Sequence, residues 1–192
     1  MKLSLTLGFT TIPLLLALCA FGAAAQDMTA RAPTPLTCGN SSAAVPMYYL
    51  AYPGAAVNDY FYSPSIGDID IVSRGDGYNF RGVACYVFTT QALSTIPLFH
   101  VFGSTMPDNL YTTSAGERDL ALENGYSDAG TVAYIYPSQI CGSVPFYRLY
   151  NAPGTAHYYT INGTERNSLL ATSGWSDEGI AGYVLDWSLC SA

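Results

Sequence analysis

The sequence predicts an α+β domain of three tandem β-β-α-β repeats closed about a pseudo-threefold axis. The first ground is that one pattern is written three times. The third copy reads VPFYRLYN…AHYYTINGTERNSLL…SGWSDEGIAGYV from Val144 to Val184. The second reads IPLFHVFG…DNLYTTSAGERDLAL…NGYSDAGTVAYI from Ile96 to Ile135, and the first VPMYYLAY…DYFYSPSIGDIDIV…DGYNFRGVACYV from Val45 to Val87. Landmarks recur about every 48 residues: Pro46, Pro97 and Pro145; Tyr62, Tyr111 and Tyr159; Gly77, Gly125 and Gly174; Gly82, Gly130 and Gly179. Such a period marks one supersecondary unit, stacked or closed on itself. The second ground is the helix start inside each copy, which counts against the alternative of a β-trefoil, whose units are almost wholly β.

In chain order, residues 1–25 read as a secretion signal. Lys2 precedes an apolar run from Leu3 to Ala20, and Ala23-Ala24-Ala25 offers small residues for cleavage. The mature chain is therefore expected to be secreted and extracellular, with no membrane insertion once the signal is removed. Residues 26–44, rich in Ala, Pro, Ser and Thr, read as a flexible tether. Residues 45–192 form one domain of three repeats, 45–95, 96–143 and 144–192. Each repeat opens with an alternating aromatic strand, Phe146-Tyr147-Arg148-Leu149-Tyr150 in the third and Leu98-Phe99-His100-Val101-Phe102 in the second. A turn and a second aromatic strand follow, ending at Tyr111-Thr112-Thr113 or Tyr159-Thr160. Ser65 with Asp68, Ser114 with Glu117 and Asn162 with Glu165 have the spacing of a capping box and start the helices. Gly125 and Gly174 sit where a left-handed C-terminal cap is expected. A β-branched and aromatic strand closes each copy. There Gly82, Gly130 and Gly179 suit positive φ or close approach, and Ala84, Ala133 and Ala181 suit a crowded core.

Composition narrows the function. Lys2 is the only lysine; six arginines against fourteen acids leave the mature chain near −8. Nucleic acid and acidic membranes demand clustered cations, so neither is an expected partner. Sixteen tyrosines carry much of the polar surface. With Cys19 in the signal, Cys38, Cys85, Cys141 and Cys190 remain, an even set suited to disulfides in an oxidising compartment. Closure of three copies brings the chain ends together, which predicts Cys38–Cys190 as a clasp and Cys85–Cys141 as the second bond. The cysteine spacings contain no C-x-x-C, so no metal site and no cofactor is expected. Asn40 and Asn162 open glycosylation sequons.

Tyr147-Arg148-Leu149-Tyr150-Asn151, His157-Tyr158-Tyr159-Thr160, Glu165-Arg166 and Glu178-Gly179-Ile180-Ala181-Gly182-Tyr183 resemble a tandem-repeat domain of unknown function. That domain occurs in secreted fungal proteins and bacterial cell-wall-associated proteins. The resemblance runs from about Val45 to the end and implies attachment to cell-wall glycans. Departures from the pattern are uneven. Ala156 stands for the usual Asp before His157; His100 and Tyr49 stand where the third copy has Arg148; Ala129 and Arg81 stand where it has Glu178.

No G-x-S-x-G, H-E-x-x-H or phosphate-cradling loop is present. The expected function is a non-catalytic, monomeric, lectin-like module that binds a cell-wall or extracellular glycan. Tyrosine's flat face and hydroxyl suit a sugar's C–H face and hydroxyl rim. The candidate ligand contacts are Arg148, Tyr150, Asn151, His157, Tyr159, Trp175 and Glu178 in the third copy, with Asp108 and Tyr111 in the second. Alternatives are a glycan hydrolase using Glu165 and Glu178 as a carboxylate pair, or a protein-binding effector or protease inhibitor.

Overall fold

The computed structural model describes residues 37–54, 59–103 and 107–186. The signal segment, the tether up to residue 36 and Cys190 lie outside them. The first repeat runs β1 (Val45–Ala51), β2 (Tyr60–Ser63), α1 (Ile66–Gly75) and β3 (Asn79–Val87). The second runs β4 (Ile96–Gly103), β5 (Asn109–Thr112), α2 (Ala115–Glu123) and β6 (Tyr126–Ile135); the third runs β7 (Val144–Asn151), β8 (Ala156–Thr160), α3 (Gly163–Leu170) and β9 (Trp175–Val184). Each repeat is a three-stranded antiparallel sheet with its first strand in the middle, in the orders β2-β1-β3, β5-β4-β6 and β8-β7-β9. The described residues form no closed barrel, and with a helix in every repeat the arrangement is not a β-trefoil.

Both faces of each middle strand are used. Met47, Leu98 and Phe146 point into a central core with Tyr62, Tyr111, Tyr159, Val87, Ile135 and Val184, one equivalent residue from each repeat at every position. Leu50, Val101 and Leu149 fall on the opposite face and are fully buried. Val101 packs with Ala121 of α2, so this face takes the helix. At eight to ten residues the helices are too short to persist alone, and they form because the sheet shields them and caps start them. Ser65, Ser114 and Asn162 accept from the N–H of Asp68, Glu117 and Glu165, each at 3.2 Å.

The other half of the expected capping box is not made by the acids. The N–H groups of Ser65, Ser114 and Asn162 donate instead to the hydroxyls of Ser63, Thr112 and Thr160, each at 3.0 Å. Ser63 and Thr160 pass the bond on to Asp68 (2.8 Å) and Glu165 (2.6 Å). A hydroxyl at the end of the second strand thus does the work assigned to the carboxylate. The acid is held sideways and left facing the next repeat.

The three sheets contact one another through two sets of matched bonds. Tyr111 Oη donates to Tyr62 O (2.9 Å) and accepts from Tyr62 N (2.8 Å). Tyr159 Oη treats Tyr111 in the same way (2.9 and 2.8 Å), and Tyr62 Oη treats Tyr159 (2.9 and 3.0 Å). Their rings meet edge to face at 5.5 Å in all three pairs. Past the third strands, Phe88 pairs with Tyr134, Tyr136 with Tyr183 and Leu185 with Tyr86.

The cysteines differ from expectation. Cys38 is bonded to Cys141, with Cα atoms 5.6 Å apart, and Cys85 is a free, buried thiol. Register explains Cys85: it occupies the position of Ala133 and Gly182, facing Met47, Leu98 and Phe146. That position admits only small side chains, since a Cβ on Gly182 would come within 2.4 Å of Ile135 Cδ1. The crowded row is therefore Cys85, Ala133 and Gly182, whereas Ala84 and Ala181 are only half-buried. Cys38 reaches Cys141 because residues 37–39 lie against the ends of the first and second repeats, where Ser94 Oγ donates to Thr37 O at 2.7 Å and Gly39 N to Tyr136 Oη at 3.2 Å. With Cys38 and Cys141 joined to each other, neither the Cys38–Cys190 clasp nor the Cys85–Cys141 bond forms.

Candidate functional site: three clefts between repeats

Polar side chains that vary between copies gather where one repeat meets the next. In each middle strand the residue opposite the core tyrosine varies: Tyr49 faces Tyr62, His100 faces Tyr111 and Arg148 faces Tyr159. In the first two repeats it is also opposite the positive-φ Gly82 or Gly130, where the pairing slips by a residue. This residue lies beside the helix-start acid of the preceding repeat, so every cleft is assembled from two copies.

Between the second and third repeats the cleft is filled by charge. Arg148 donates two bonds to Glu117, at 2.8 and 2.9 Å. Its Nε lies 2.9 Å from Glu178 Oε2, an ion-pair contact not aligned as a hydrogen bond. His157 joins both ends: Nδ1 is 2.8 Å from Asp108 Oδ2 and Nε2 is 3.1 Å from Glu178 Oε2. Asp108 also accepts from His157 N–H (2.8 Å) and Tyr126 Oη (2.6 Å). Burial opposes charge on His157, but the bonds to Asp108 and Glu178 outweigh it and raise its pKa to about 9. Burial likewise pushes Glu117 up, and the Arg148 guanidinium more than reverses this. The His157 bond holds Glu178 below the usual carboxylate range.

Between the first and second repeats the same positions carry Asp68, His100, Ala129 and Asn109, and the cleft is open. It encloses about 690 Å³ between α1 and the second sheet, with Asp59 and Asn109 at its buried end. Asn109 Nδ2 donates to both oxygens of Asp59 (3.1 and 2.9 Å), and Tyr78 Oη donates to the same carboxylate. Asn109 Oδ1 then accepts from His100 Nε2 at 2.8 Å, which fixes the proton on that nitrogen. The His100 ring stacks on Tyr111 at 4.4 Å. Burial lowers the His100 pKa against that bond, so its ring is neutral at pH 7. Burial also raises the pKa of Asp59 in spite of its donors. Phe61 and Phe102 flank the His100 ring at 5.8 and 6.1 Å and give the cavity apolar walls.

Between the third and first repeats lies a smaller cavity of about 510 Å³, whose lining includes Tyr49, Tyr60, Arg81, Tyr158 and Glu165. Tyr158 Oη donates to Glu165 Oε1 at 2.9 Å, and the Tyr60 ring meets Tyr158 edge-on at 4.7 Å.

Of the candidate contacts, Arg148, His157, Glu178 and Asp108 come together in the charged cleft, with the Tyr150 ring 4.8 Å from that of His157. Tyr111 and Tyr159 do not join them: at 0 and 1 % exposure, with both hydroxyls spent on neighbouring backbone, they are core residues. Asn151 braces the β7–β8 turn by accepting from Gly154 N at 2.7 Å. Trp175 packs toward Tyr60 and Tyr158 in the other cleft. Glu165 and Glu178 are committed to different clefts, which separates the carboxylate pair of the hydrolase alternative. Asn40 and Asn162 are exposed, each accepting the N–H two residues on.

The open cleft was the part sequence reasoning missed. A signal for it exists: Asp59 and Tyr78 form a pair repeated as Asp108 and Tyr126, and the copy with Ala156 has Trp175 instead. Among the described residues no group of His, Cys, Asp or Glu could hold a metal ion, and no helix is long and apolar enough to cross a membrane.

Comparison with curated proteins and with solved structures gave no match. A family model does match, over residues 40–185, a span that takes in all three sheets. The chain belongs to the family described as a domain of unknown function, DUF5648.

Proposed function

We propose that this protein is a secreted, non-catalytic binding module for cell-wall or extracellular glycans, with its three repeats arranged about a pseudo-threefold axis. The observation that carries this reading is the open cleft between the first and second repeats. Its volume of about 690 Å³ lies in the range of small-ligand sites. Its composition suits a sugar, whose hydroxyls seek acceptors and donors while its C–H face seeks an apolar wall. Asp59, Asp68, Asn109 and Tyr78 supply the polar groups, and Phe61 and Phe102 the wall. The apolar segment at residues 1–25 and the Cys38–Cys141 bond favour an oxidising, extracellular destination.

Binding rather than hydrolysis is favoured because the cleft's two buried carboxylates are already engaged, Asp59 by Tyr60 N–H, Asn109 and Tyr78 and Asp108 by His157 and Tyr126. The test is a glycan array with the mature protein that includes chitin, β-glucan and peptidoglycan fragments. Binding is expected, and Phe61→Ala should weaken it about tenfold through loss of the apolar wall. Silence of the wild-type protein across the whole array would sink the reading.

A further inference from the structure

Three clefts built from equivalent positions allow one to be read against another. In the cleft between the second and third repeats, a carboxylate at the helix start, Glu117, receives the Arg148 guanidinium through two bonds. The equivalent carboxylate between the first and second repeats is Asp68. It is held in the same way, by the Ser63 hydroxyl at 2.8 Å, and lines the cavity. The residue at the Arg148 position is His100, which is shorter, buried, bonded sideways to Asn109 and neutral. The residue at the Glu178 position is Ala129, whose methyl leaves the middle of the cleft open. Asp76, Asp59 and Asp108 also line this cavity, and no arginine or lysine does so among the described residues. Two independent observations therefore converge: a cavity of ligand size, and a cation seated by the same architecture one repeat further on.

We propose that the open cleft selects a glycan carrying a free amino group, whose ammonium takes beside Asp68 the position that the Arg148 guanidinium takes beside Glu117. This rests on the glycan reading above and names the class of sugar. The ring hydroxyls face Asn109 and Tyr78, and the ring's apolar side lies toward Phe61 and Phe102. Those groups favour a sugar over the side chain of a basic peptide. An N-acetylated sugar replaces the charge with a neutral amide and forfeits the ion pair. The interaction is partly exposed at Asp68, so added salt should weaken it.

Calorimetric titration of the mature protein with a short β-1,4-linked glucosamine oligomer, its fully N-acetylated counterpart and an oligo-arginine peptide tests this, at a pH that keeps the amine charged. The glucosamine oligomer is expected to bind about tenfold or more tightly than the acetylated one, with affinity falling as salt rises. Asp68→Asn should remove that preference. The double substitution His100→Arg with Ala129→Glu copies the filled cleft and should abolish binding while melting near the wild-type temperature. Asp68, being exposed, gives an informative variant even if the double one folds poorly. Equal or tighter binding of the acetylated oligomer overturns the selection for charge and leaves the glycan reading standing. Binding of neither sugar overturns both. Binding of the peptide alone also overturns the proposal, in favour of a protein partner.

Discussion

At the scale of single residues, His157 has the clearest consequence. It is 9 % exposed, and its charged and polar neighbours are Asp108, Tyr126 and, through space, Glu117 of the second repeat with Glu178, Arg148 and Tyr150 of the third. Its folded pKa of about 9 lies above the 6.5 of a free imidazole. The folded state therefore holds the proton more tightly than the unfolded chain, and the linked stabilisation is complete below pH 6.5 and lost as pH climbs to about 9. The loss should amount to about 2–3 kcal/mol, measured as a falling urea midpoint. His157→Gln should flatten that slope; a wild-type midpoint that stays level over the interval refutes the linkage. Sequence reasoning singled out His157, Arg148 and Glu178 because they differ from their counterparts, and the structure joins them in one ion-pair network. It misread Cys85, because placing Ala84 beside Ala133 and Ala181 hid that Cys85, Ala133 and Gly182 share one crowded position.

At the scale of elements, strand, turn and helix order was legible, because proline, glycine and cap residues act locally and recur. The hydroxyl relay at the helix starts was not, since Ser63, Thr112 and Thr160 read simply as strand ends. Thr160 accepts from Asn162 N and donates to Glu165, so it orders α3 and aims the acid at once. Thr160→Val should cost about 1–2 kcal/mol in chemical denaturation and leave Glu165 less constrained. The disulfide acts between elements. It ties the lead-in before β1 to the linker before β7, closing 103 residues of chain. Cys38→Ser together with Cys141→Ser should lower stability by about 2–5 kcal/mol in the same assay. Non-reducing peptide mapping should return a Cys38–Cys141 peptide and an unpaired Cys85.

At the scale of the whole molecule, periodicity disclosed that there are three copies but not which face of one meets the next. The sequence reading accordingly sought a site chiefly in the third copy, with Asp108 and Tyr111 of the second, whereas each cleft draws its acid from one repeat and its variable residues from the following one. The tyrosine circuit is what makes such clefts possible. A linear stack of three repeats has two junctions, and its first and last copies differ from its middle one. In the proposed ring the junction of Tyr62 with Tyr159 is equivalent to the other two, with bonds of 2.9 and 3.0 Å against 2.8 and 2.9 Å. Replacing any one of Tyr62, Tyr111 and Tyr159 by Phe keeps the packed ring and deletes the hydroxyl. A buried N–H and a buried C=O of the neighbouring tyrosine then lose their partners, a loss of about 2–4 kcal/mol. Because the hydroxyl of Tyr62 serves the pair that closes the circuit, Tyr62→Phe should cost as much as Tyr111→Phe or Tyr159→Phe. A Tyr62→Phe protein that unfolds at the wild-type urea midpoint, while the other two are destabilised, would show the copies to be stacked in a line.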